Sequence, residues 1–245
     1  MKRVVLSLAI SVICCFSAIG QVSITDSVAT LIEQHKLDSA LLTIHHGMKK
    51  YSDVDSVYAL LAEYKADVHL EQEYYDSIFY IYLDVYEKFP EHPSALGELV
   101  ILYGDNGMFD EAFFFLDLQY DLNFRRDIVF NNYAYYNGLA GNYEKSLLYC
   151  DSTLQIASTD HIQSATYNNR GYALMKLGKF KEAKRSIEKS LEILPTNSFA
   201  YRNLALIYLE ANEPIQACKA LAKSREYGGV NISQMVIDEY KLECK

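Results

Sequence analysis

Hydrophobic and polar positions along this chain follow the three- and four-residue spacing of amphipathic helices. The pattern is clearest around Gly178. Before it, Ala165 to Leu177 places apolar residues on one helical face. After it, Phe180, Ala183, Ile187, Leu191 and Leu194 do the same, and Pro195 ends the run. Two helices joined by a tight turn are predicted. A small residue also recurs behind an aromatic or apolar one, in Leu37-Asp38-Ser39-Ala40, Phe109-Asp110-Glu111-Ala112, Tyr143-Glu144-Lys145-Ser146, Phe180-Lys181-Glu182-Ala183 and Pro214-Ile215-Gln216-Ala217. The steps from Ala112 to Ser146 and from Ala183 to Ala217 are both 34 residues, a period at which helix-turn-helix units stack into a solenoid. The small side chains have a mechanical reason: paired helices approach closely only where one presents Gly, Ala or Ser to the bulk of the other.

The unit 164–197 contains an aromatic early in its first helix, Gly171 after it, the turn glycine Gly178, Phe180 before the second helix, the small Ala183 and a final Pro195. In these features it resembles a tetratricopeptide repeat. Residues 198–231 repeat the theme through Tyr201, Ala205, Tyr208, Asn212 and Ala217, with Pro214 in a first helical turn, where its missing N–H costs nothing. Upstream, 93–126 and 127–160 carry it through Asn106-Gly107-Met108-Phe109 and Gly141-Asn142-Tyr143. Two degenerate units precede these, Asp26 to Lys50 and Val54 to Phe89, and in the second Ile78 takes the small residue's place. The resemblance implies an all-α, right-handed superhelical solenoid of about six such units. Residues 21–245 would form one array, and 232–245 a C-terminal capping helix whose apolar stripe is Ile232, Val236, Tyr240 and Cys244.

Asn131-Asn132 follow Phe130, Asn168-Asn169 follow Tyr167, and Arg202-Asn203 follow Tyr201, so one face of the first helix carries amides in three successive units. An Asn side chain both donates to a carbonyl and accepts from an N–H, so a ladder of them suits an extended peptide. By resemblance to tetratricopeptide grooves, Asn132, Asn169 and Asn203 would contact a protein or peptide partner, with Asn131, Tyr135, Asn168, Tyr172 and Arg202 beside them. The alternative is that these amides bond between adjacent helices. The variety of repeat that clamps a carboxylate terminus needs Lys and Arg on this face, and only Arg202 and Lys176 are offered.

Composition changes the picture in three ways. Residues 1–20 read as a signal peptide: Lys2-Arg3, an apolar stretch from Val4 to Phe16, then Ser17-Ala18-Ile19-Gly20. That implies export to the periplasm or beyond and leaves no integral membrane span. A lipoprotein reading on Cys14 or Cys15 is weaker, because neither has Gly or Ala directly before it. The net charge is −9, and a mature chain without Lys2 and Arg3 would carry −11, which argues against nucleic acid. Cys150, Cys218 and Cys244 remain. The ending from Ala217 to Cys244 resembles those of exported tetratricopeptide proteins of Bacteroidetes, which often carry both cysteines. The resemblance implies a Cys218–Cys244 disulfide if the last two helices pack side by side; two free thiols are the other outcome.

No catalytic constellation is visible. Gly104-Asp105-Asn106-Gly107 is a helix–helix turn, not a phosphate loop with its lysine. His45-His46 are adjacent and point apart, unlike metal ligands spaced by four. The acidic pairs Asp53/Asp55 and Glu71/Glu73 read as solvated groups favouring helix N-termini. The expectation is a noncatalytic interaction scaffold without metal or cofactor, or a structural subunit of an envelope complex docked through its outer face or termini.

Overall fold

The computed structural model describes residues 19–72 and 74–244, and the predicted leader lies outside them up to residue 18. Among the described residues there are thirteen α-helices and no strand: α1 (Ile19–Glu33), α2 (Leu37–Lys50), α3 (Asp55–Glu71), α4 (Tyr75–Lys88), α5 (Pro93–Asp105), α6 (Phe109–Asp121), α7 (Arg126–Leu139), α8 (Tyr143–Ile156), α9 (Asp160–Lys176), α10 (Phe180–Ile193), α11 (Ser198–Glu210), α12 (Pro214–Glu226) and α13 (Val230–Tyr240). The arrangement is all-α: α1 packs on α2, α3 on α4, α7 on α8, α9 on α10 and α11 on α12, with α13 against α11 and α12. The chain divides into two compact units, one ending at Leu102 and one beginning at Tyr103.

Turn chemistry sets the pairing. Gly107, Gly141, Gly178 and Asn212, each just past the first helix of a pair, have positive φ of 76°, 83°, 74° and 59°. This left-handed residue lets the following N–H bond back to the helix end, as Met108 does to Tyr103 and Lys179 to Leu174. The second helix then begins two residues later. The predicted small residues Ala40, Ala112, Ser146, Ala183 and Ala217 are all buried. Ser146 donates its hydroxyl to the Ala134 carbonyl at 2.6 Å. A Cβ on Gly171 would stand 2.4 Å from Ile187 Cδ1 and 3.2 Å from the Ala183 carbonyl oxygen, so α9 and α10 cross where one residue has no side chain.

In the first unit Val28, Ile44, Val57 and Leu61 make the core, and Ile78 is half-buried at the small-residue position of α4. Asp55 opens α3 and accepts from the Ser56 N–H, whereas Glu71 closes that helix and pairs with His35 at 3.3 Å. Glu71 therefore sits at a C-terminus, against the expectation, and Glu73 lies outside the described residues.

In the second unit the step from Ser146 to Ala183 is three residues longer than the period, and α9, at 17 residues against 14 in α7, absorbs the excess. Its entry is tied by buried Asp127, which accepts from Arg125 at 2.9 Å and from the Ser158 hydroxyl at 2.6 Å and N–H at 3.2 Å. Burial pushes this carboxyl up, but these hydrogen bonds outweigh it and hold the pKa at about 2. Aromatic rings fill the neighbouring pair, with Tyr149 stacked on Tyr133 at 4.7 Å. Burial and the Asp117 carboxylate both push the Tyr133 phenol up.

The last helix differs from its prediction. It starts at Val230 and stops at Tyr240, where Lys241 turns left-handed at φ 50°, so Cys244 lies beyond it. The four-residue stripe also precesses: each step of four overshoots a turn by about 40°. Val236 is consequently buried, Tyr240 is exposed, and Ser233 and Ile237 share the inner side with Val236. Cys218 and Cys244 are joined by a disulfide. Among the described residues no helix is long and apolar enough to cross a membrane.

Candidate functional site

The second unit contains a pocket of about 210 Å³ between the first helices of three successive pairs and the final helix. From α7 it takes Tyr135 and Leu139, from α9 Asn168, Asn169 and Tyr172, from α11 Phe199, Arg202 and Asn203, and from α13 Ile232 and Met235. Six of the eight residues expected at a partner face thus line one cavity. Asn131 and Asn132 do not.

Hydrogen bonding between repeats explains the amides. The Asn131 carbonyl oxygen accepts from the Asn169 amide at 3.2 Å and from the Thr166 hydroxyl at 3.0 Å. Asn168 accepts from the Asn203 amide at 2.9 Å. One geometry recurs: the first Asn of a pair receives the amide N–H of the second Asn in the next pair. Asn168, Asn169 and Asn203 are buried, so much of their hydrogen-bonding capacity holds helix to helix. Arg202 stands where the next first Asn would be. Its guanidinium donates to the Asn203 oxygen at 2.9 Å. Half-buried at the pocket wall, it makes no ion pair among the described residues. Lys176, the other cation anticipated on this face, holds its ammonium 5.6 Å from the Tyr172 ring centre.

The remaining wall is apolar. Tyr135, Leu139, Phe199 and Met235 are all exposed large hydrophobic residues on this one cavity. Sequence reasoning missed Leu139, Phe199, Ile232 and Met235. For Phe199 a signal existed, since it is one of two aromatics two residues apart in Ser198-Phe199-Ala200-Tyr201, which no single buried helical face can hold. Met235 and Ile232 needed the rotation of α13, which a repeat pattern does not give. Chemically the cavity offers amides, a phenol, a guanidinium and apolar rings. Ser146, the hydroxyl at its edge, already donates to a carbonyl. At 210 Å³ it is smaller than the roughly 300–1,000 Å³ usual for small-molecule and cofactor sites, and is of the size of one or two protein side chains.

Residues 164–197, which supply the centre of this cavity, match a family model described as tetratricopeptide repeat, and a second model of that description matches 186–219. The chain contains tetratricopeptide repeats. A tetratricopeptide repeat protein from Parabacteroides merdae superposes with a TM-score of 0.71 at 20% identity, covering 91% of this chain and 83% of that one. The APC/C hetero-tetramer Cut9-Hcn1 does so at 0.65 and 15% identity, over 89% of this chain and 42% of that one. Sperm-associated antigen 1 of Rattus norvegicus is 33% identical over 115 residues, which span 46% of this tetratricopeptide-repeat chain and 12% of that protein. These likenesses are of fold.

Proposed function

We propose that this tetratricopeptide-repeat protein is a noncatalytic, exported scaffold that receives a segment of a partner protein in the pocket of its second unit. The observation that carries the reading is the pocket itself: exposed Tyr135, Leu139, Phe199 and Met235 surround a half-buried Arg202 without a carboxylate. An apolar side chain would fill the cavity, and a carbonyl or carboxylate of the same segment would meet the guanidinium. Asn169 and Asn203 line the wall and fix its shape more than they offer free donors. Export is supported by the leader-like residues 1–20 and by the disulfide, which suits an oxidising compartment.

A second reading has its own observation. At the sixth residue of α2, α4, α6 and α8 stand Leu42, Tyr80, Phe114 and Leu148, exposed by 60%, 70%, 55% and 65%, while α10 and α12 carry Arg185 and Lys219 at that register. Within each unit, apolar residues repeated on the second helices suit docking of a structural subunit. Photocrosslinking from the native envelope separates the two. A photoreactive residue at Tyr172 should capture a distinct partner that one at Lys189 or Leu148 does not. Capture from Leu148 alone would favour the second helices and remove the pocket reading.

A further inference from the structure

The helix that closes the pocket is fastened by very little. α13 has 11 residues, about three turns, too short to hold its conformation without packing. Val236 is its one fully buried hydrophobic residue, and Ile237 and Leu242 are only partly covered. It is entered through Gly228, at φ 90°, and left through Lys241 in the left-handed region, so the backbone turns sharply at both ends. Beyond that turn Cys244 is bonded to Cys218 of α12, a bridge spanning 26 residues of sequence. The same helix presents Ile232 and Met235 to the pocket. Cys218 is half-buried and lines an open cleft of about 550 Å³ with Pro214, Ile215 and Leu242, so a small thiol can reach its sulfur.

We propose that the Cys218–Cys244 disulfide is a thiol-reducible latch on the pocket wall. A thiolate of a dithiol reductant attacks one cystine sulfur and expels the other as a thiolate, which takes up a proton. The reductant's second thiol then displaces the freed cysteine and closes the reductant's own disulfide. Two electrons pass to the protein, which gains two thiols. With the tether gone, α13 is held by Val236, the small buried Ser233 and partly covered neighbours, and Ile232 and Met235 leave the cavity with it. Cys150, the free cysteine among the described residues, is fully buried in α8 and takes no part. The consequence for partner binding rests on the pocket reading above; the mobility of α13 does not.

The test compares the oxidised protein with the dithiothreitol-reduced protein and with C218S/C244S by hydrogen–deuterium exchange. Reduction should raise exchange across residues 230–240 at least tenfold and leave α9 and α10 within twofold. Exchange in α13 within twofold of the oxidised protein would overturn the latch. The chain contains no Trp, so F199W supplies a single emitter in the pocket, and its acrylamide quenching should at least double on reduction; unchanged quenching likewise overturns it. Should the serine variant fail to fold, reduced wild type carries both measurements. Loss of Tyr172 crosslinking in the oxidised protein would defeat the partner reading while the exchange data still decide the latch.

Discussion

Gly171→Ala tests the helix crossing in α9 and α10 most directly. In an exposed helix interior this change would stabilise by about 1 kcal/mol through helix propensity. Here the new Cβ would lie 2.4 Å from Ile187 Cδ1, 2.7 Å from its Cγ1 and 3.2 Å from the Ala183 carbonyl oxygen. Ile187 is fully buried, so its chain has no free space to turn into, and the carbonyl belongs to the helix itself. Overpacking of this kind costs about 1–3 kcal/mol. With a backbone carbonyl among the contacts the upper part of that range, about 2–3 kcal/mol, applies, and subtracting the propensity gain leaves a net loss of about 1–2 kcal/mol, read as a lower urea midpoint by circular dichroism on the disulfide-intact protein. The same two register positions hold Ala205 and Leu221 in the next pair, and Ala134 and Cys150 in the preceding one. Moving the branch away from Cβ should therefore relieve the clash, and G171A/I187L should regain at least half of what G171A loses. By contrast Gly138→Ala meets nothing nearer than Ser146 Oγ at 3.4 Å and should stabilise by about 0.5–1 kcal/mol. A G171A protein as stable as wild type, or strict additivity of the double variant, would refute the argument.

Asp127, whose folded pKa of about 2 lies below its ordinary 3.8, contributes stability that is complete above the higher value and lost as pH falls toward the lower. The difference is worth about 2 kcal/mol, and Asp127→Asn should flatten the acid limb of the stability profile. Burial pushes the Cys150 thiol up to about 12. Iodoacetamide at neutral pH should consequently modify it only in unfolded protein, and mass spectrometry showing rapid native labelling would contradict this. Asn203→Ala removes the donor to Asn168 and the acceptor of Arg202. A loss of about 1–3 kcal/mol is expected, with N168A/N203A costing less than the sum of its parts in a double-mutant cycle.

The helix pairs were legible because their signals are local. Gly178 and Phe180 sit two residues apart whatever the rest of the chain does, and Ala183 answers to its partner helix alone. The amide row was legible as a row, yet its use was not: whether Asn169 reaches a ligand or Asn131 depends on an approach between repeats that no single helix encodes. The wall built by Ile232 and Met235 was hidden for a rotational reason. A stripe spaced by four looks buried throughout, but on a helix of 3.6 residues per turn only its middle, Val236, stays inside.

The amide row has a direction. Asn169 gives its N–H to Asn131, and Asn203 gives its own to Asn168, so an internal pair presents an oxygen forward and an amide N–H backward. A unit copied in tandem at this register would mate with its own duplicate and orphan no polar group, which makes array length free to grow by duplication. Arg202 ends that freedom. A guanidinium accepts nothing, so a pair added behind α11 would bring a donor with no oxygen to receive it. One side chain acts as the stop signal of a polymer grammar, and Arg202→Asn would turn that terminus into a splice point for a further copy of residues 164–197.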